Sequence, residues 1–235
     1  MASASYFAKG NKLLQSLSTS DRELLEPNLV PVSLLLRQDL EKPNRRIDDV
    51  FFIEHGIVSI VALPNRATEV EIGIIGCEGM TGGAVVAGSD RSPHSTYMQL
   101  AGDGLRIGAR QLNSAMADST TLRRSLAKYA YSFAIQTAQT AVANARAKLV
   151  PRLARWLLMA HDRVSGNTLN ITHEFLSIML ASRRAGVTEG LKALAAEGLI
   201  STQRRDIKIL NRKGLEKAAG SFYGVPEAEY RRLMN

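Results

Sequence analysis

The chain has 235 residues, enough for roughly one and a half average domains and so for two modest cores. Its hydrophobic and charged fractions, 45% and 22%, are those of a soluble globular protein, and no stretch approaches the roughly 18 uninterrupted apolar residues of a membrane span, so no membrane partner is expected. A formal net charge of +8 suits an anionic partner without naming it, while a single cysteine, Cys77, excludes an internal disulfide and any cysteine-only zinc or iron-sulfur site within one chain. Residues 1–20 contain no apolar h-region, so no secretory signal is expected and the protein should stay in the cytoplasm.

The stretch 11–26 reads as two short helices, with Leu13, Leu14 and Leu17 at helical spacing and Ser20 as a cap for the second. From Val30 the period changes. Short β-rich runs at 30–36, 49–56, 57–63, 69–75, 96–102 and 105–109 are separated by Pro, Asn, Gly or Asp, which points to a compact all-β roll. Gly56, between two of these runs, is expected to form a hairpin turn. Gly76, Gly79, Gly82 and Gly83 follow a strand; their backbone amides could cradle a phosphate, or the glycines could simply turn the roll.

From Asp118 the period is helical. Leu122, Leu126, Tyr129, Phe133, Gln136, Thr140, Ala143 and Ala147 alternate steps of four and three, a heptad seam that could pair with a second copy or pack on the roll. Ala138, Ala141 and Ala145 lie on adjoining faces and would allow close approach. Pro151 marks a hinge, because proline is tolerated in the first turn of a helix and not in its interior. Beyond it Leu153, Trp156, Leu157 and Ala160 form an amphipathic helix with Trp156 in the core.

Residues 171–200 carry the clearest organisation. Thr172 is placed to cap a short helix with Phe175, Leu176, Met179 and Leu180 on one stripe; after a break at Ala181-Ser182, Ser182 offers a second cap. The next helix repeats Val187, Leu191 and Leu194 and stops at Gly198. Burying both stripes leaves Arg184, Thr188 and Lys192 in an outward row with Arg183 beside it, a face that suits a major groove. Two short strands, Leu199-Ile200 and Ile207–Leu210, flank the turn Gln203-Arg204-Arg205-Asp206, and Asn211 caps a last helix from Arg212. Helix, turn, helix and basic hairpin make a winged helix.

The residues Ile171-Thr172, Leu176, Leu180-Ala181, Arg184, Val187, Leu191, Leu194 and Leu199-Ile200 resemble the DNA-binding motif of the cyclic-AMP receptor protein and fumarate-nitrate regulator (Crp/Fnr) superfamily. The run Phe51–Ile60 is similar, more weakly, to a turn of its cyclic-nucleotide-binding roll. The resemblance implies an α+β protein with a β-roll sensor domain at 1–117, a dimerisation helix at 118–150 and a winged helix-turn-helix at 151–235. It also implies a homodimer that binds double-stranded DNA at a roughly palindromic site, and it leaves RNA polymerase open as a further partner.

By resemblance, Arg184 stands where the family contacts a base, and Arg183, Thr188, Glu189 and Lys192 share its helix face; Lys192 and His173 are placed for phosphate, and Arg204 and Arg205 for the wing. Ala185 and Glu189 differ from the glutamate and arginine of the best-known member, so the operator should differ too. In the phosphate-binding cassette, Gly83 follows Gly82 where the family has glutamate, and His94-Ser95 lies near the place of an arginine-serine pair. With Gln136 and Thr137 on the long helix, these form a degenerate ligand site at which cyclic AMP is not expected to act. Three effector states stay open: an unknown small molecule, a modified cassette that still takes a nucleotide, or no ligand.

No P-loop, G-x-S-x-G, H-E-x-x-H or paired-carboxylate arrangement is present, and His55, His94, His161 and His173 are scattered singly. The chain is therefore expected to have no catalytic residues, metal site or cofactor. The rival from another class is a cyclic-nucleotide-binding-like regulatory subunit acting through protein contacts.

Overall fold

The computed structural model describes residues 10–62, 69–204 and 206–234. Two short helices, α1 (Lys12–Ser16) and α2 (Thr19–Leu25), open the chain. Asn11 caps α1 by accepting the Leu14 amide at 3.0 Å, and its own amide donates to the carbonyls of Ile53 at 2.7 Å and Gly79 at 2.6 Å, which fastens α1 to the roll. Ser18, not the expected Ser20, caps α2: Ser18 has extended backbone and accepts the Asp21 amide, whereas Ser20 lies inside the helix.

The strands β1 (Val30–Leu34), β2 (Asp39–Glu41), β3 (Asp49–Ala62), β4 (Val70–Ile75) and β5 (Ser95–Gly108) form one antiparallel sheet in the order β1-β5-β3-β4, with β2 also on β5. The hairpin expected at Gly56 is not there. β3 runs through it, pairing with β5 from Asp49 opposite Gly108 to Val61 opposite Ser95, with register shifts around His55. Gly56 has φ 92°, and a Cβ on Gly102 would lie 2.0 Å from the His55 carbonyl oxygen, so only glycines let the two long strands bend together here. The bend rolls the sheet around Leu34, Phe51, Ile53, Val58, Ile75 and Met98.

After α3 (Gly83–Val86) and α4 (Ala109–Asp118) comes the long helix α5 (Thr120–Arg146). The expected heptad seam is real, but it faces the chain's own roll. Leu122, Leu126 and Tyr129 are buried in the cluster around Leu13, Phe52 and Leu105; Phe133 packs on the roll interior and Gln136 on β4. The apolar edge of a single rolled sheet needs a cover, and this stripe supplies it. The opposite face of α5, with Ala127, Tyr131, Ala134, Ala138, Ala141 and Ala145 again at alternating steps of four and three, is exposed.

The helix breaks at Ala147-Lys148, both extended, and α6 (Leu149–His161) begins with Pro151 in its first turn. Then follow β6 (Thr168–Asn170), α7 (His173–Met179), α8 (Arg184–Ala196), β7 (Ile200–Gln203), β8 (Asp206–Ile209) and α9 (Arg212–Ala219). Their shared core includes Leu157, Leu176, Val187, Leu191, Leu194, Ile207 and Leu215. The wing is three-stranded, since β6 pairs with β8 on the side away from β7. A last helix, α10 (Val225–Met234), turns back to pack on α5 and places the Tyr230 hydroxyl on the Glu78 carbonyl at 2.7 Å. Among the described residues no helix is long and apolar enough to cross a membrane.

Candidate nucleic-acid interface

Thr172 caps α7 as expected, accepting the Phe175 amide at 3.1 Å. Ser182 does not cap α8. The chain passes through left-handed backbone at Ala181 (φ 42°) and enters α8 from Arg183, which makes no side-chain cap. The turn is held from below instead: the Arg152 guanidinium of α6 donates to the Leu180 carbonyl. Gly186 and Gly190 bring α8 close to α6, because a Cβ on them would already stand 3.1 Å from Leu149 and 3.2 Å from Leu153. α8 thus buries Val187, Leu191 and Leu194 and leaves the opposite face to solvent.

That face carries Arg183, Arg184, Glu189 and Lys192, all exposed. The Arg184 guanidinium pairs with the Glu174 carboxylate at 3.6 Å, the two side chains being 70% and 63% exposed. Thr188 is half-buried; its hydroxyl donates to the Arg184 carbonyl and lies 3.0 Å from His173 Nδ1, which joins the start of α7 to the middle of α8. His173 is therefore engaged within the module. Arg204 stands at the wing tip in left-handed backbone, φ 53°, and is exposed, while Arg205 lies outside the described residues. The structure adds Lys208, exposed between the buried Ile207 and Ile209 on β8. The alternation of Ile207, Lys208 and Ile209 was its signal.

The residues expected for a ligand do not converge on an open anion site. Gly82 has φ 75°, and its amide donates to Glu41 Oε1 at 2.6 Å; Glu41 is 7% exposed, and its other oxygen accepts from Thr96. Burial pushes the Glu41 carboxyl above the usual range. A side chain of the roll itself therefore takes the amide that a phosphate would need, and sequence reasoning missed it because Glu41 is 41 residues away in the chain. Gly83 is exposed and open on its Cβ side; His94 is tied through its backbone amide to Ser92, and Ser95 begins β5. Gln136 is spent on the backbone of Ile74, accepting its amide at 2.8 Å and donating to its carbonyl at 3.2 Å, and Thr137 bonds back to the Phe133 carbonyl. A separate cleft of about 340 Å³ lies between α5, α10 and the end of α6, where buried Arg163 already pairs with Glu78 at 2.8 Å and half-buried Arg212 with Asp162 at 2.7 Å.

An exposed basic helix over a compact three-helix support, flanked by a basic hairpin, defines a winged helix-turn-helix protein joined to a β-roll. Residues 151–218 match the Crp-like helix-turn-helix domain. Over most of its length the chain shares its fold with Crp/Fnr-family transcription regulators. It is similar to FixK2 from Bradyrhizobium japonicum (13% identity, 82% of this chain and 98% of that one, TM-score 0.70) and to a protein from Eubacterium rectale assigned to the crp/fnr family (21% identity, 89% and 98%, TM-score 0.69). A third likeness is TTHB099, a CRP-family transcriptional regulator from Thermus thermophilus (19% identity, 81% and 97%, TM-score 0.66). A comparison with curated proteins found no match.

Proposed function

We propose that this protein is a sequence-specific DNA-binding transcription regulator that works as a homodimer in the cytoplasm. The observation that carries the reading is α8: its apolar side is sealed against α6 and α7, and the side left to water presents Arg183, Arg184 and Lys192. An α-helix fits the major groove, where an arginine can fork two hydrogen bonds onto guanine. Arg184 is the base reader, Lys192 and Arg183 hold phosphates, and the wing cations Arg204, Arg205 and Lys208 follow the flanking backbone. Thr188 and His173 position α8 rather than read sequence.

For the dimer, the exposed alanine face of α5 replaces the buried seam as the contact. Small residues at heptad spacing let two helices approach closely around a two-fold axis, which would set the two recognition helices on successive major grooves. Cyclic AMP is not the effector in this reading, because Glu41 already occupies the Gly82 amide. Arg91, the candidate that follows the cassette in the chain, is exposed and paired with Asp90 at 2.9 Å. Fluorescence anisotropy with fragmented genomic DNA tests the main claim: salt-sensitive duplex binding is expected, and its absence at moderate salt would favour the regulatory-subunit alternative.

A further inference from the structure

Glu71 of β4 is 4% exposed and lies where the rolled sheet meets α6 and α7. One of its oxygens accepts the indole N–H of Trp156 from α6 at 2.6 Å, and the other is 2.5 Å from the Ser59 hydroxyl on β3. That hydroxyl is also 2.5 Å from the side-chain oxygen of Gln99 on β5 and 3.6 Å from the Met179 sulfur of α7. The network therefore stitches three strands of the roll to two helices of the DNA-binding module.

The proton count in this network is informative. Two short oxygen–oxygen contacts need two hydrogens between them, and serine has one to give; the Gln99 oxygen has none. With the Gln99 oxygen turned toward Ser59, the second hydrogen sits on Glu71, which then donates to Ser59 while Ser59 donates to Gln99. The same orientation leaves the Gln99 Nε2 buried with no partner. If Glu71 is instead ionised, a half-turn of the Gln99 amide repairs the network, with Nε2 donating to Ser59 and Ser59 donating to the carboxylate. Two protonation states thus map onto two hydrogen-bond arrangements of the same residues.

We propose that Glu71 is a proton-binding site at the joint between the roll and the DNA-binding module: the neutral acid is at home in the closed, dry joint, and ionisation, with the turn of Gln99, favours opening the joint to water. Among the described residues no cation pairs directly with the carboxylate. Facing it from α6, Arg155 donates to the Phe222 carbonyl and the Thr140 hydroxyl, and Arg152 to the Leu180 carbonyl; beyond α6, Arg163 is paired with Glu78. On β5 the phenol of Tyr97 is held neutral by burial, and α7 presents only Met179. An ionised Glu71 would therefore be a buried charge held by the Ser59 and Trp156 hydrogen bonds without a salt bridge among the described residues. Burial pushes its pKa up to about 7 from an ordinary 4.5, with the Ser59 and Trp156 hydrogen bonds opposing the shift.

The sign follows from linkage. Folding holds a proton that the unfolded chain releases near pH 4.5, so the stabilisation is complete below that value and is lost as pH rises through about 7. Within the window the folding equilibrium should fall up to tenfold per pH unit. The test uses the full chain without DNA, so its failure and failure of the DNA-binding reading are distinguishable. Carbon-13 carboxyl NMR, with Glu71 assigned by its loss in Glu71→Gln, should show a midpoint near 7, and a midpoint in the ordinary carboxylate range would overturn the proposal. Thermal unfolding should lose its steepest pH dependence, between about pH 4.5 and 7, in Glu71→Gln; an unchanged profile would also overturn it. If that variant does not fold, Trp156→Phe decides: removing a donor to the carboxylate should raise the midpoint further, and an unmoved midpoint counts against the site.

Discussion

A surface ion pair as open as Arg184–Glu174 contributes at most about 1 kcal/mol, so Arg184 can leave it for a base at little cost. Arg184→Ala should weaken binding to the true operator by roughly 1 to 3 kcal/mol and relax preference at one base pair. Lys192→Ala should weaken all duplexes alike and reduce the salt slope by about one. Anisotropy titrations at several salt concentrations separate the two; an Arg184→Ala variant with wild-type base preference would sink the docking. At the cassette, calorimetric titration with cyclic AMP should show no saturable binding at micromolar concentration, since losing two charged contacts of on the order of 1.5 to 3 kcal/mol each leaves only millimolar affinity. Gly79 carries a further expectation, because a Cβ there would stand 2.1 Å from the Tyr129 hydroxyl that donates to the Met80 carbonyl. Gly79→Ala should displace that buried hydroxyl and destabilise the roll by about 1 to 3 kcal/mol in urea unfolding.

Among the elements, α5 has two faces with opposite roles, and substitutions should tell them apart. Leu126 is fully buried against the roll, so a charge there should unfold the sensor rather than split a dimer. Ala138→Arg with Ala141→Arg changes only exposed positions, so circular dichroism should be unchanged while light scattering reports monomers. A double variant that stayed dimeric would move the interface elsewhere. The spacing of the buried seam was legible in the sequence, but whether its partner was a twin or the roll was not, since both bury the same stripe. The element α10 left no comparable signal. Its anchors, Tyr230 on the Glu78 carbonyl and Met234 against the roll core, are long-range contacts that no local period announces. Truncation after Gly224 should uncover part of α5 and raise hydrogen exchange in α5 and at the Glu78 turn, with the helix-turn-helix core still protected.

For the whole molecule, the DNA-binding module and the roll share a polar joint rather than a flexible linker. Buried contacts cross it at Trp156–Glu71 and Arg163–Glu78, and a Cβ on Gly76 would stand 2.6 Å from the Arg163 side chain. Between about pH 4.5 and 7 is where the stability of this joint should fall most steeply, by the sign worked out for Glu71. If the dimer forms through α5, the operator should be a rough palindrome with half-sites about 34 Å apart, and selection of binding sites from random duplexes would show it.

Local pattern alone determined much of this protein. Alternating apolar runs specified a roll, steps of three and four specified α5 and α8, and Thr172 and Asn211 marked helix starts, because propensity, capping and periodicity act between near neighbours in the chain. The outward face of α8 followed from the same logic: once Val187, Leu191 and Leu194 turn inward, Arg184 and Lys192 must turn out. Only the tertiary structure decided what meets across distance. Gly56 became a bend within β3 instead of a hairpin because β5 bends beside it at Gly102; the seam of α5 met the roll; and Glu41 reached the Gly82 amide from 41 residues away. The Glu71 joint belongs to the same class, since a carboxylate at an ordinary strand position acquires its proton only when Ser59, Gln99 and Trp156 enclose it and exclude water.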